Sequence, residues 1–349
     1  MKIALITDQH FGARKNSKLF HDYFLKFYNE VFFPTLKEEG ITTIVDMGDT
    51  FDNRTGINFS SLKWAKDNYY DVLEGMGCKI HTIVGNHTAF YKNTNNVNAV
   101  DLLLREYENV EVYSEPCEVK IGGQNILFIP WINSENEETT LKLIEKTNCK
   151  CAMGHLELRG FAANKQCIMD HGHESKLFEK FTKVFSGHYH TRSNIGNVFY
   201  TGNPYEIYWN DYNDVRGFTF FDTETLEHEY IDNPYNMFYN VYYEDTDWKT
   251  FDYSPYSNKI VKIVVRKRTD KKKFEKFLDK FYSSNVSDIK LIESYDFNGW
   301  YSKDHVEEVE TEDTLSLLNM YIQESDNDLD KSELSKIIGE VYREACEMV

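Results

Sequence analysis

Apolar residues over the first 230 positions follow two alternating patterns. Short runs such as Ile3–Thr7, Thr43–Met47 and Lys79–Val84 have the length of buried strands. Between them Phe20, Tyr23, Phe24, Phe27, Tyr28 and Val31 recur at helical spacing, and Leu62–Leu73 reads as a second helix. Further strand-like runs follow at Asn125–Ile129, Lys150–Met153, Lys183–Phe185, Val198–Thr201 and Phe218–Phe221. Strand and helix in alternation predict a layered α/β domain. Each run is followed by a turn carrying Asp, His or Asn, which is where open α/β sheets place their ligands.

The pattern changes near residue 235. Tyr and Phe become dense, Ile260–Val265 reads as one more strand, and Lys271–Tyr282 places Phe274, Phe277, Leu278 and Phe281 on one helix face. Within Lys259–Lys280 ten Lys or Arg stand against three acids, a local charge of +7. The ordinary account is a solvated helix face. The functional account is a phosphate-tracking strip made by Lys262, Arg266, Lys267, Arg268, Lys271, Lys272 and Lys273. From Asp304 the tail holds 14 acids against three bases and carries two helical signals. The first is Leu315, Leu318 and Ile322. The second is the stripe Leu334, Ile337, Ile338, Val341, Tyr342 and Ala345, opened by Asp330 and Glu333 in the manner of a capping box. Such a stripe serves either its own core or a partner's groove, and the acidic linker Glu324–Asp328 ahead of it favours the groove. The predicted organisation is an α/β domain over residues 1–230, a small α+β domain over 231–303, and an acidic linker with a helical tail over 304–349.

The net charge of −18 argues against a protein that coats nucleic acid with its whole surface, although a local basic strip leaves room for a phosphate-binding site. No apolar run approaches the roughly 20 residues of a membrane span. The start, MKIALITD, reaches a chemically loaded Asp8 at once, so no cleaved signal peptide is expected. Cys78, Cys117, Cys149, Cys151, Cys167 and Cys346 show no paired spacing and read as reduced thiols of a cytoplasmic protein.

Five motifs lie in order at the ends of these runs. They are D-x-H (Asp8, His10), G-D-x-x-D (Gly48, Asp49, Asp52), G-N-H (Gly85, Asn86, His87), G-H (Gly154, His155) and G-H-x-H (Gly187, His188, His190). From the composition a chance G-H-x-H has an expectation of roughly 0.02, and four further motifs in sequence make coincidence smaller still. The residue types suit two divalent ions about 3.5–4 Å apart, which can clamp the attacking and leaving oxygens of a displacement at phosphorus. One carboxylate must bridge them, and Asp49 is the natural candidate. Imidazole mixed with carboxylate favours Mn, Fe or Zn over Mg. Glycine ahead of a ligand lets the backbone turn off the strand end.

This motif series resembles the calcineurin-like metallophosphoesterases, whose β-sandwich is flanked by helices. The stretches ITTIVDMGDTFD, KIHTIVGNH, MGHLELRGF, VFSGHYHT and GFTFFDTET more closely resemble SbcD-type nuclease subunits of double-strand-break repair, and among these the recombination endonuclease subunits of T-even-like phages. The resemblance spans nearly the whole chain and is strongest up to about residue 230. It implies one metal held by Asp8, His10, Asp49 and His190, and a second held by Asp49, Asn86, His155 and His188. His87 would donate a proton to the leaving group. In the wider phosphoesterase family Asp52 would hold that imidazole charged, whereas many cellular relatives carry His there. Thr88 also departs from the pattern, which usually continues with Asp. The resemblance further implies two Mn²⁺ (Mg²⁺ as second choice), 3′→5′ exonuclease and endonuclease action on DNA, and a homodimer. It implies a DNA-binding capping domain over 231–303, a coiled-coil ATPase partner for the tail, and roles in recombination, repair and recombination-dependent replication.

Two other functions remain open at this point: a phosphomonoesterase or cyclic-nucleotide phosphodiesterase of the same fold, and a catalytically silent subunit that clamps DNA or the ATPase. The basic strip and tail favour the nuclease. His21, His81, His228 and His305 read as core residues, and His171 and His173 lie in a Gly-containing loop outside the motif series.

Overall fold

A computed structural model describes residues 1–293, apart from Gln166, Trp248 and residues 267–269, and beyond them Ile322, Lys331, Glu333, Leu334, Ile337, Ile338 and Val341. The chain divides into two units, Met1–Glu293 and Ser294–Val349.

Two six-stranded sheets form the body of the first unit. One runs in the order His228–Asp232, Gly217–Asp222, Lys2–Ile6, Thr43–Asp46, Lys79–Ile83 and Val110–Tyr113, the last four mutually parallel. The other runs Ser193–Ile195, Val198–Tyr200, Lys183–Gly187, Cys151–His155, Gln124–Ile129 and Cys117–Ile121. Alternation along each strand feeds two cores. Ile3, Leu5, Val45, Met47 and Ile83 meet Ile126, Phe128, Met153 and Phe185 between the sheets. Ala4, Ile6, Ile44 and Ile80 face the helices instead. A strand buried on both faces reads as a continuous apolar run, which is why these were legible. Each fully buried Leu, Ile or Phe contributes about 1.5–3 kcal/mol. The sequence pattern passed over Val110–Tyr113 and Cys117–Ile121, which are edge strands. Their exposed Glu111, Glu118 and Lys120 break the run, as edge strands commonly do.

The first helical stretch is Lys18–Phe27 followed by a widened π turn at Tyr28–Phe32 and a further helix, Phe33–Glu38. Pro34 explains the widening, because a proline in a regular helix collides with the carbonyl four residues back.

A third, three-stranded parallel sheet, Phe238–Tyr242, Ile260–Val265 and Asp288–Glu293, carries the helix Lys271–Ser283. Val261, Ile263 and Val265 pack on Phe274, Phe277 and Phe281. The intervening Lys262 must therefore face the other way. It is only 3% exposed, with its ammonium 4.2 Å from the Trp209 ring centroid. Lys262 is thus no member of an open basic strip. Arg266, Lys271, Lys272 and Lys273 are exposed, and Lys267 and Arg268 lie outside the described residues. Glu206 ties this sheet to the body by accepting the backbone N–H groups of Met237 (2.6 Å) and Phe238 (2.9 Å).

In the second unit the described residues are helical; Ile337 (51%) and Val341 (59%) are exposed, while Leu334 and Ile338 are half-buried. Tyr342, Leu315, Leu318 and His305 lie outside the described residues.

His21 stacks on Trp64 at 4.8 Å, and His228 Nδ1 lies 2.9 Å from Lys183 Nζ. His81 Nδ1 bonds the Tyr113 hydroxyl at 2.7 Å. Burial, reinforced by Lys79 and opposed by Glu111, lowers His81 to a pKa of about 4. The unfolded chain takes up this proton near the ordinary value of about 6.5. His81 therefore supports the fold above that pH and loses its contribution as pH falls toward 4. Calorimetry of metal-free protein should show a melting temperature that drops through this window, with a shallower drop in His81→Gln. Equal slopes would remove His81 from the account.

Candidate metal centre

The motif residues meet at the C-terminal ends of strands from both main sheets. Asp8 and His10 follow Lys2–Ile6, Asp49 follows Thr43–Asp46, and Asn86 and His87 follow Lys79–Ile83. His155 ends its own strand, and His188 and His190 follow Lys183–Gly187. Donor atoms of Asp8, His10 and His190 lie within 4.8 Å of one another, and so do those of Asp49, His155 and His188. Asn86 joins the second group, its Oδ1 2.9 Å from His155 Nε2 and 3.1 Å from His188 Nδ1.

The donor chemistry fits divalent ions. His155 Nδ1 lies 2.9 Å from the Met47 carbonyl, to which it donates, leaving Nε2 as an acceptor in the neutral ring. That nitrogen faces Asp49 Oδ2 at 3.0 Å as well as Asn86 Oδ1. Three acceptors converging on one point call for a cation. A proton can stand in: burial opposes it, yet Asp49 raises His155 to a pKa of about 9. In the first group His10 Nε2 faces His190 Nε2 at 3.1 Å. Burial, then the charges of His10 and Arg216, push the His190 pKa well below the ordinary value, so its lone pair is free for a metal. The converging spacings match neighbouring ligands on one ion with bonds of about 2.1 Å.

The backbone is strained where ligands sit. Asp8, His10, Asp49 and His188 all have positive φ, of 51°, 47°, 52° and 87°. Non-glycine residues hold this conformation at a cost of about 1–3 kcal/mol each, and such strain clusters at functional sites. The motif glycines serve close approach as much as turning. A Cβ on Gly85 would collide with the Asp49 carboxylate and lie 2.6 Å from its amide nitrogen. On Gly187 it would strike the Thr7 hydroxyl and lie 2.8 Å from Asp8 Oδ2.

The expected His87–Asp52 carboxylate pair is not what the fold builds. His87 Nδ1 lies 2.8 Å from the Asp52 backbone carbonyl. The Asp52 carboxylate turns to His10, with Oδ1 3.3 Å from Nδ1 though out of line for a hydrogen bond, and accepts from the Tyr208 hydroxyl at 3.4 Å. Burial and the charge of His10 lower the His87 pKa, with Asp49 working against them. Asp49 itself stays ionised well below the carboxylate range: burial would raise it, but the charges of His155, His87 and His10 prevail. Thr88 fills its own place. Its hydroxyl donates to the Gly85 carbonyl at 3.0 Å and accepts from the Gly85 N–H at 3.1 Å, closing the G-N-H turn without a carboxylate.

Several supporting residues carried no sequence signal. Buried Asp46 accepts from Gln9 (3.0 Å), Thr50 (2.6 Å) and the Gly48 N–H (3.2 Å), joining the first two motifs, and burial raises its pKa to about 7. Arg216, paired with Asp211 and Asp214, donates to the His190 carbonyl. These residues sit between motifs, where only tertiary contact reveals them. Glu157, in contrast, stands two residues beyond His155, within reach of the G-H motif. It lies 3.1 Å from His171, which itself is outside both donor groups, as is His173.

Facing sheets with ligand-bearing turns at their strand ends, and two adjoining donor groups, define a metallophosphoesterase. The chain is 33% identical to "Exonuclease subunit 1" of Enterobacteria phage T4 over 351 aligned positions, covering 99% of this chain and all of that protein. The chain belongs to this phage exonuclease subunit family, which is SbcD-like. Compared with models of known protein families, it matches none. A solved structure described as a novel archaeal phosphodiesterase overlays 67% of this chain and all of its own, at 12% identity and a TM-score of 0.34, a likeness too slight to define the fold.

Proposed function

We propose that the protein is a two-metal, Mn²⁺-dependent DNA nuclease, with 3′→5′ exonuclease and endonuclease action, that processes DNA ends in recombination, repair and recombination-dependent replication. The observation that carries this is the pair of adjoining donor groups with His87 in contact with a member of each and belonging to neither. The His87 amide donates to Asp49 Oδ1 at 2.8 Å, and its ring centroid is 5.0 Å from that of His10. Asp8, His10, Asp49 and His190 would hold one ion, and Asp49, Asn86, His155 and His188 the other. Two such ions supply charge stabilisation and orientation for attack at phosphorus.

The chain's own residues do the rest. A neutral His87 gives its Nδ1 hydrogen to the Asp52 carbonyl and presents Nε2 as an acceptor. An anionic phosphodiester arriving beside it favours the imidazolium. Nε2–H can then protonate the leaving oxygen. The Asp52 carboxylate lies beside the His10 ring and accepts from the Tyr208 hydroxyl. Purified protein with Mn²⁺ or Mg²⁺ should degrade end-labelled duplex DNA and hydrolyse bis-p-nitrophenyl phosphate. Turnover confined to p-nitrophenyl phosphate would make it a phosphomonoesterase, and none at all a silent subunit.

Exposed Arg266, Lys271, Lys272 and Lys273 support DNA binding by the three-stranded module. Reversing Lys271, Lys272 and Lys273 to Glu should weaken DNA affinity and reduce the slope of log K against log salt by up to about 3, close to 0.9 per phosphate contact. Bis-p-nitrophenyl phosphate turnover should not change. Equal losses on both substrates would make the strip a support of the fold.

The protein is further proposed to act as a homodimer, supported by exposed apolar side chains such as Phe59 (88%) and Leu102 (56%). The tail stripe of Leu334, Ile337, Ile338, Val341 and Tyr342 is proposed to dock on a coiled-coil ATPase subunit, supported by the exposure of Ile337 and Val341. Ending the chain before Thr311 should leave bis-p-nitrophenyl phosphate turnover intact and abolish ATP-stimulated duplex degradation with that subunit. An insoluble truncation would assign the stripe to the protein's own core.

A further inference from the structure

We propose that Glu157 and His171 are positioning residues for His188, a carboxylate–imidazole pair that decides which ring nitrogen of His188 faces the second donor group. This rests on the two-metal reading above. His188 Nδ1 faces Asn86 Oδ1 at 3.1 Å, and its other nitrogen, Nε2, lies 3.9 Å from Glu157 Oε1. The same Glu157 oxygen lies 3.1 Å from His171 Nε2, so one carboxylate is held between two imidazoles. Trp131 bounds the His188 ring elsewhere, with centroids 5.2 Å apart.

The fold delivers His171 to this place deliberately in structural terms. The His173 N–H donates to the Glu157 carbonyl at 2.9 Å, and the Arg159 N–H donates to the His173 carbonyl at 3.1 Å. The loop is thereby laced onto the segment that follows the His155 ligand. Between the two histidines Gly172 has φ +95°, and a Cβ there would lie 2.5 Å from the Glu157 carbonyl oxygen. The His-Gly-His segment is thus the turn that brings one imidazole onto Glu157. At 3.9 Å the Glu157 oxygen stands outside hydrogen-bond reach of Nε2, yet its negative charge favours a proton on that nitrogen over one on Nδ1. Losing a carboxylate partner of a metal-binding imidazole typically costs 10–100-fold in metal affinity.

The test titrates Mn²⁺ into metal-free parent, Glu157→Ala, Glu157→Gln and His171→Asn proteins. It follows binding by calorimetry and by the electron paramagnetic resonance of free Mn²⁺, with melting recorded in EDTA. The parent should bind two ions. In Glu157→Ala one ion should bind about 10–100-fold more weakly while the other is unchanged. Glu157→Gln, which keeps an acceptor oxygen, and His171→Asn should fall between parent and Glu157→Ala, and all should melt as the parent does in EDTA. Unchanged binding of both ions in Glu157→Ala overturns the proposal. Equal weakening of both ions with a lower melting point in EDTA also overturns it, as a fold defect. A parent that binds only one ion refutes the two-metal reading itself, and this role with it.

Discussion

Asp49→Ala should abolish hydrolysis of both DNA and bis-p-nitrophenyl phosphate and reduce bound Mn²⁺ from two equivalents toward none. Asp49 is the carboxylate of the second donor group, 3.0 Å from His155 Nε2. Its other oxygen accepts the His87 amide at 2.8 Å, and its backbone carbonyl accepts the His10 N–H at 3.0 Å. One residue therefore touches the turn that bears His87 and the turn that bears His10. Burial would raise its pKa, but His155, His87 and His10 keep its carboxylate ionised. His190→Ala is a narrower change, because His190 belongs to the first donor group alone, and should weaken mainly one ion. Mn²⁺ titration of both variants checks the map. An Asp49→Ala protein that binds two ions with parental affinity would sink the bridging role.

His87→Asn should lower cleavage by about 10²–10⁴-fold, the usual range for a general acid, while metal content and DNA affinity stay close to the parent's. His87 is in neither donor group, and its Nδ1 is committed to a backbone carbonyl. Asn retains a polar side chain there but cannot carry the proton. Single-turnover cleavage at saturating Mn²⁺ isolates the chemical step from binding. Cleavage at the parental rate would remove the proton-donor role, and a parallel loss of Mn²⁺ would make His87 a ligand. Asp52 offers a finer contrast. A carboxylate partner to His87 would make Asp52→Asn resemble His87→Asn, whereas the observed carboxylate contact with His10 makes it resemble a mild His10 defect.

Much of this centre was legible beforehand because of where its residues fall. Asp8, Asp49, Asn86, His155 and His188 each stand at or just after a buried strand, and parallel strands in facing sheets end near one another. Short motifs separated by more than a hundred residues could thus be read as one constellation. The Asp52 side chain was misjudged because position in a motif locates a backbone, and the choice between His10 and His87 depends on a rotamer that packing selects. Lys262 was misjudged for a related reason. Net basic charge over a segment is blind to strand alternation, and the alternation points Lys262 inward onto Trp209.

The sequence by itself determined the strands buried on both faces, the order of the five motifs and the metal-binding character of the site. These follow from local residue type and period, which act over a few residues and survive any arrangement of the rest. Tertiary structure alone decided the supports: Asp46 joining Gln9 to Thr50, Arg216 at the His190 carbonyl, and Glu157 between His171 and His188. Each joins positions that no periodicity connects. Their identity depends on which polar atoms remain unpaired once the cores have closed, since a buried polar group must find its partner wherever the fold has placed one.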